Sequence, residues 1–227
     1  MEQRPNPTLD GFLAVIAERN AEAAEALSDG RRMRTERGRT AVVEALIDLV
    51  NEGNHPTVAQ VAERAGVSDR TVFRYFPDRE AMYTAAAVEV FPKVAHCVSL
   101  FPPDGPTEVR LRELLKLRVE ITQIGGKLAQ WVESDDKPSD LQRTIVALRV
   151  EHLRQQITIW LEPELASTDP SLVSVLNSML NHWPIGMLLD EFSPEECVDA
   201  LYSAIIKMFR SQSTALPTTR VTRTPIR

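Results

Sequence analysis

Apolar residues recur at intervals of three and four along most of this chain, and turn-forming residues separate the stretches that carry them. Such spacing is typical of amphipathic α-helices, and the sequence shows no sustained period-two alternation of the kind that indicates a β-strand. The pattern predicts helices over about residues 8–28, 35–51, 58–65, 68–76, 78–97, 107–133, 138–161, 170–191 and 194–212. The predicted fold class is therefore all-α.

Two of the predicted helices are short and lie close together in residues 58–76. Thr57 is followed three residues later by Gln60, which is the spacing of a capping box at a helix start. Gly66 directly follows the first of these helices, where a glycine can adopt the left-handed conformation that ends a helix. Ser68 then offers a side-chain cap for the second helix. These residues predict a tightly joined helix pair.

A pair of this kind is a helix-turn-helix, whose second helix can enter the major groove of DNA. We expect Val72, Phe73 and Phe76 to face the protein interior. The opposite face of the second helix is then exposed and carries Ser68, Asp69, Arg70, Thr71 and Arg74. Of these, Arg70, Thr71 and Arg74 are predicted to contact base edges, because arginine can pair with guanine through two hydrogen bonds.

Three further residues are predicted to contact phosphates. Thr57 starts the first helix of the pair, where free backbone N–H groups and the helix dipole favour a phosphate oxygen. Tyr75 and Arg79 lie beyond the base-reading face, in positions suited to the DNA backbone. The alternative is an ordinary helical hairpin whose exposed arginines are solvated, and the residues alone leave both interpretations open.

The distribution of charge supports the first interpretation. The chain of 227 residues has a net charge of −6, which by itself argues against a nucleic-acid partner. Residues 31–79, however, carry nine basic and seven acidic groups, and every basic group there is an arginine. Arginine forms rigid contacts with phosphate and guanine. The positive segment therefore coincides with the predicted helix pair.

Composition narrows the class of protein. Hydrophobic residues make up 43% of the chain and charged residues 26%, which is normal for a packed globular protein. No apolar run approaches the roughly 20 residues that span a bilayer, and the N-terminus lacks the apolar core of a signal peptide. The two cysteines are too few for a disulfide framework. We expect a cytoplasmic protein with no membrane partner.

The sequence offers little support for an enzyme. A helical di-iron site needs two Glu-x-x-His pairs, and the one present, Glu52 to His55, contains Gly53 and falls in a turn. The four histidines do not have zinc-site spacing, and there is no glycine-rich phosphate loop or nucleophile elbow. We therefore predict no catalytic residues, no metal and no cofactor.

Residues from about 37 to 85 resemble the tetracycline-repressor (TetR) family of bacterial regulators. The resemblance is carried by TAVVEALIDLVNEG and by PTVAQVAERAGVSDRTVFRYFPDREAMYTAA. It implies that Thr71, Phe73, Tyr75 and Arg79 lie where this family contacts DNA, and that Thr57 lies where it grips phosphate. One departure is Phe73, because the family often has tyrosine there.

The resemblance implies a three-helix DNA-binding domain at the N-terminus and a helical ligand-binding and dimerisation domain at the C-terminus. We divide the chain into an extension helix (1–30), the helix-turn-helix domain (31–84), the effector-binding and dimerisation domain (85–213) and a mobile tail (214–227). Arg31, Arg32 and Arg34 follow the extension as a basic joint, and we expect them to form an arm that reaches the adjacent minor groove. A solvated linker is the alternative.

Recognition of two half-sites by a helix-turn-helix requires a twofold dimer. Apolar stripes on the last two predicted helices suit a four-helix interface, although the same stripes could close the core of one protomer. The predicted interface residues are Leu172, Leu176, Met179, Leu180, Trp183, Val198, Leu201, Tyr202, Ile205 and Phe209.

In this family the middle helices enclose a small-molecule pocket. Polar or aromatic residues among apolar neighbours are the candidates for it: His96, Gln123, Trp131, His152, Gln155, Trp160 and Asn177. Mostly apolar linings suit a hydrophobic or aromatic effector. The prediction is a repressor that binds a palindromic operator as a homodimer and is released by such an effector; the alternative is a helical protein–protein adaptor that does not bind DNA.

Overall fold

The structure, a computed structural model, describes residues 30–165 and 171–213. All regular elements within these two ranges are helices, which confirms the predicted all-α class. The predicted extension helix over 8–28 and the tail from residue 214 lie outside the described residues. None of the described helices is long and apolar enough to cross a membrane.

Ten α-helices and one 3₁₀ turn follow each other in the described ranges. They are α1 (Gly30–Asn51), α2 (Val58–Ala65), α3 (Asp69–Tyr75), α4 (Arg79–Val94), the 3₁₀ turn (Ala95–Val98), α5 (Thr107–Glu133), α6 (Asp140–Trp160), α7 (Glu162–Leu165), α8 (Ser171–Met179), α9 (His182–Leu189) and α10 (Pro194–Ser213).

The predicted local signals of the short helix pair are confirmed. Thr57 Oγ1 accepts a hydrogen bond from the Gln60 backbone N–H at 3.3 Å, and the Gln60 side chain accepts one from the Thr57 backbone at 2.8 Å. Gly66 has φ of 67°, in the left-handed region that glycine adopts without strain. Ser68 caps α3 by accepting a hydrogen bond from the Thr71 N–H. The turn between α2 and α3 is thus fixed by its own residues.

The predicted basic joint at residues 31–34 is wrong, because α1 is one helix from Gly30 to Asn51. Arginine, methionine and glutamate are good helix formers, and residues 31–37 contain no proline or glycine that would end a helix. The arginines of this segment therefore belong to the first turns of α1. Arg34 is exposed there, and the side chains of Arg31 and Arg32 lie outside the described part of the structure.

The single helix predicted over 170–191 is also wrong, because the chain breaks between α8 and α9. Pro184 lacks the N–H that would bond to Leu180, and its ring would clash with that carbonyl in a continuous helix. Asn181 instead starts α9, and its side chain accepts a hydrogen bond from the Trp183 N–H.

Buried apolar residues form two clusters. The first fills the space between α1, α2, α3 and α4 and includes Leu128, Trp131 and Val132 from the end of α5. The second lies among α5, α6, α8, α9 and α10. Because α5 contributes to both clusters, the N-terminal helices are packed directly onto the last two turns of α5. Helix α4 also crosses the predicted domain boundary at residues 84 and 85.

Candidate nucleic-acid interface and ligand cavity

Helix α3 has one buried face and one exposed face. Val72 and Phe76 are 0% and 1% exposed, whereas Phe73 is 54% exposed. The prediction that Phe73 faces inward is therefore wrong. Residues three and four apart share a helix face, so Phe73 lies with Arg70, three positions before it, and next to Arg74 on the side opposite the core. Helix α3 thus presents two arginines and an aromatic ring on one exposed surface.

Neighbouring side chains on this surface contact one another. The Ser68 and Thr71 hydroxyl oxygens lie 2.9 Å apart in a hydrogen bond that either can donate. Arg74 Nη2 donates to the Tyr75 hydroxyl at 3.3 Å, and its guanidinium lies 5.1 Å from the centre of the Tyr75 ring. Asp69 is exposed in the first turn. Arg70 and Arg74 are exposed as well, and Thr71 is half-buried.

Tyr75 also explains a glycine in the middle of α1. A Cβ atom placed on Gly38 would lie 2.5 Å from the Tyr75 hydroxyl oxygen, closer than real Cβ contacts. The missing side chain at Gly38 therefore lets α3 approach α1. Arg39, the next residue, has its guanidinium 5.1 Å from the centre of the Phe76 ring and covers the buried face of α3.

Arg79 has contacts that the sequence did not predict. Its Nη2 donates to the Trp131 carbonyl oxygen at 2.9 Å, and its guanidinium lies 4.4 Å from the centre of the Trp131 ring. Its Nη1 lies 3.7 Å from an Asp135 carboxylate oxygen. Arg79 therefore connects the start of α4 to the end of α5, and its predicted phosphate contact would have to compete with these partners. Thr57, in contrast, is exposed at the N-terminus of α2.

Helices α2 and α3, joined at Gly66, form a helix-turn-helix, the motif whose second helix can enter the major groove of DNA. Comparison with known proteins agrees: residues 49–86 match the family of bacterial regulatory proteins named tetR. HTH-type transcriptional regulator BetI of Klebsiella pneumoniae is 31% identical over 112 residues, which cover 44% of this chain and 56% of BetI. BetI of Escherichia coli is 30% identical over the same length.

The fold agrees with the sequence match. The TetR-like transcriptional regulator LfrR of Mycobacterium smegmatis, solved in complex with proflavine, superposes with a TM-score of 0.54 at 21% identity. The superposition covers 80% of this chain and 99% of LfrR. Residues 49–86 thus match the helix-turn-helix domain of the tetR family, and the described helices have the fold of a TetR-like regulator. It spans about half the length of the BetI relatives it matches.

A second candidate site is an apolar cavity of about 170 Å³ behind the helix-turn-helix. Helices α4, α5 and α6 form its walls, with Leu180 and His182 at one side. Few polar groups reach the cavity, and they include Arg118, Arg149 and His152.

Only His152 among the seven predicted effector residues lines this cavity. Its Nε2 lies 2.7 Å from the Val98 carbonyl oxygen, which can only accept, so Nε2 carries the proton. The other six lie elsewhere: His96, Gln123 and Gln155 are exposed, Asn177 is half-buried, Trp131 packs in the helix-turn-helix core and Trp160 donates to the Ser99 carbonyl oxygen.

The predicted dimer residues divide into two groups. Six are buried in the protomer's own second cluster, and these are Leu172, Leu176, Leu180, Val198, Leu201 and Ile205. These six were wrongly placed at an interface, because a repeat of three and four does not distinguish a core from a contact surface. Met179, Tyr202 and Phe209 are half-buried, and Trp183 is 49% exposed.

Glu133 contacts two residues that line the cavity, Arg149 and His182. Its carboxylate accepts hydrogen bonds from Arg149 and from Trp183 Nε1, and His182 Nε2 lies 3.2 Å from it. Burial would raise the pKa of Glu133, but His182, Arg149 and Trp183 outweigh burial and lower the pKa to about 2. The charge of Arg149 is therefore matched by a neighbouring carboxylate.

One cluster of possible metal ligands lies outside both sites. His96, Cys97 and Glu120 bring their donor atoms within 4.8 Å of one another, and no other such group occurs in the residues the structure describes. Burial raises the pKa of Cys97 to about 11, which keeps the thiol protonated at neutral pH. We assign no metal to this cluster.

Proposed function

We propose that this regulator is a repressor that binds a palindromic operator as a homodimer and is released when a small molecule occupies the apolar cavity. The observation that carries the proposal is the position of the cavity. Its wall includes Tyr83, Ala87 and Val90 of α4, the helix that begins four residues after α3 ends. A molecule in the cavity therefore presses on the element that positions the DNA-reading helix.

Base readout falls to the exposed face of α3. Arg70 and Arg74 reach guanine edges, Thr71 supports them with its hydroxyl, and Phe73 packs against a thymine methyl group. Thr57 and Tyr75 hold phosphates on either side. Arg79 is proposed to act on DNA through its contacts with Trp131, because its Nη2 and the face of its guanidinium are engaged there.

The dimer is proposed to form through the exposed apolar residues of α8 and α9 together with the half-buried residues of α10. Val175 on α8 is 43% exposed, and Trp183 and Met187, one helical turn apart on α9, are 49% and 69% exposed. Tyr202 and Phe209 on α10 complete this surface. The two α3 helices of a dimer then read half-sites about 34–36 Å apart.

The cavity favours an apolar effector, because most of its lining residues are aliphatic or aromatic. LfrR, which shares the fold, is in complex with the aromatic molecule proflavine. The cavity of this chain is close in size to the engineered cavity of about 150 Å³ that binds benzene. A molecule with a single ring or a short acyl chain fits this description.

The test is selection of binding sites from a random DNA pool by the purified protein, followed by titration of the selected duplex at two salt concentrations. We expect an enriched inverted repeat, two protomers per repeat and affinity that falls steeply with salt. An Arg70→Ala, Arg74→Ala double variant with unchanged thermal stability is the matched control. Absence of any enriched repeat, with salt-independent self-association, would instead favour the adaptor interpretation.

A further inference from the structure

The cavity contains a buried positive charge that the protein does not neutralise. Arg118 is 1% exposed and lines the cavity from α5. Its Nη2 donates to the Leu153 carbonyl oxygen at 2.6 Å. Its Nε and Nη1 are buried and have no hydrogen-bond partner among the described residues. Arg118 therefore carries two unpartnered donors and belongs to the lining of an apolar cavity.

Other arginines in the same bundle show what is missing at Arg118. Arg149 is paired with Glu133, and Arg110 Nη2 lies 2.8 Å from Glu164 while its other donors reach the Trp160 and Gly105 carbonyl oxygens. No carboxylate in the described part of the chain forms an ion pair with Arg118. An uncompensated buried charge is costly, so such groups are normally paired.

The charge persists at neutral pH. Burial lowers the pKa of Arg118 to about 9, which still leaves the guanidinium protonated in the cell. Guanidinium groups bind carboxylates through charge-assisted hydrogen bonds, which are stronger than neutral ones. The arginine therefore has the chemistry of a receptor for an anionic group, and the rest of the cavity has the chemistry of a receptor for an apolar one.

We propose that the cavity binds an organic carboxylate whose charged end pairs with Arg118 and whose apolar body extends toward the helix-turn-helix. The proposal rests on the proposed function only in taking this cavity as the effector site. The α5 residues that line the cavity run from 118 to 129, a span of about 16 Å at 1.5 Å per residue. Arg118 lies at the end of this span far from α3, so the body of the ligand contacts Ala87 and Val90 of α4.

The binding test uses three probes that share one apolar body: 3-phenylpropionate, 3-phenylpropanamide and 3-phenylpropylammonium. Octanoate and octanamide form a second matched pair with an aliphatic body. Titration calorimetry on the purified full chain is expected to show each carboxylate binding at least tenfold more tightly than its amide, and the ammonium compound binding weakest. Equal affinity of carboxylate and amide in both pairs overturns the proposal. So does the absence of binding by any carboxylate at about 5 mM.

Variants of Arg118 separate charge from fold. Arg118→Met keeps the length of the side chain and removes the charge, and we expect it to abolish the preference for carboxylates while the melting temperature of the unliganded protein stays the same or rises. Arg118→Lys keeps the charge and should retain a reduced preference. A carboxylate preference that survives in Arg118→Met overturns the assignment. The assignment is also overturned if unliganded Arg118→Met melts well below the wild type while Arg118→Lys does not, because the charge at this position then has a structural role.

The same probes distinguish this proposal from the proposed function. They are titrated into the complex with the selected operator duplex, and DNA release is followed by fluorescence anisotropy. Release by the neutral amides with equal potency supports an effector cavity but overturns its anion specificity. Carboxylate binding that depends on Arg118 without any effect on operator affinity supports the anion site but overturns release through this cavity.

Discussion

Replacement of Arg79 by alanine should lower the free energy of unfolding by about 2 kcal/mol, because this side chain joins the helix-turn-helix to α5. Hydrogen bonds from charged donors contribute about 1.5–3 kcal/mol, and Arg79 donates one of 2.9 Å to the Trp131 carbonyl oxygen. That oxygen also accepts from Ser134 Oγ at 2.7 Å, so it keeps one partner in the variant and the loss falls at the lower end of the range.

Two further contacts of Arg79 refine this figure. The guanidinium lies 4.4 Å from the centre of the Trp131 ring, and a partly exposed cation–π contact adds about 0.5–1 kcal/mol. The ion pair with Asp135 is 3.7 Å long and partly exposed, so it contributes little. Asp135→Asn should therefore change stability by less than about 0.5 kcal/mol, although it removes the only acidic partner that Arg79 has within 4 Å in the described residues.

Urea unfolding followed by circular dichroism measures these differences, with Arg70→Ala as the control for loss of an exposed arginine. Arg70→Ala should remain within about 0.5 kcal/mol of the wild type. On DNA, Arg79→Ala should weaken all sequences about equally. If Arg79→Ala were as stable as Arg70→Ala, and only the salt dependence of DNA binding changed, Arg79 would be a phosphate contact and its assigned role between α4 and α5 would be refuted.

Three further variants test separate parts of the structure. Thr57→Ala removes the capping box of α2 and should cost about 1 kcal/mol in thermal unfolding, whereas Thr57→Ser should not. Glu133 has its pKa lowered to about 2 from 4.5, so the stability it contributes is present above pH 4.5 and is lost as the pH falls toward 2; Glu133→Gln should flatten the decline in melting temperature over that interval. Simultaneous replacement of Arg31, Arg32 and Arg34 by alanine should reduce the salt dependence of operator binding if they reach DNA, and unchanged salt dependence would exclude that role.

The parts of the fold that the sequence predicted well are those fixed by neighbouring residues. Thr57, Gly66 and Ser68 act within three or four positions of themselves, so a capping pattern is sufficient to locate α2 and α3. The break before α9 was missed although Pro184 marks it in the sequence, because the apolar repeat continues across it. Phe73 was placed inside because it is aromatic, whereas its position on α3 places it with Arg70.

The cavity was predicted less well, because its candidate residues were chosen by type and not by helix position. Arg118 lies on the same stripe of α5 as the buried residues Leu111, Leu115 and Thr122, at intervals of three and four. This helix position is visible in the sequence. A charged residue on an otherwise apolar stripe identifies Arg118 as a candidate cavity residue. No such signal separates residues of the protomer core from residues of the dimer surface, because both require apolar residues at the same spacing.

The most direct test of the account is binding-site selection carried out in parallel with the wild-type protein and with Arg74→Ala. If the exposed face of α3 reads bases as proposed, the wild type should enrich an inverted repeat. The variant should then lose the base preference at one symmetric position in each half-site, with the rest of the repeat unchanged. An identical repeat from both proteins, or a uniform loss of affinity without any change in preference, would contradict base recognition by this face.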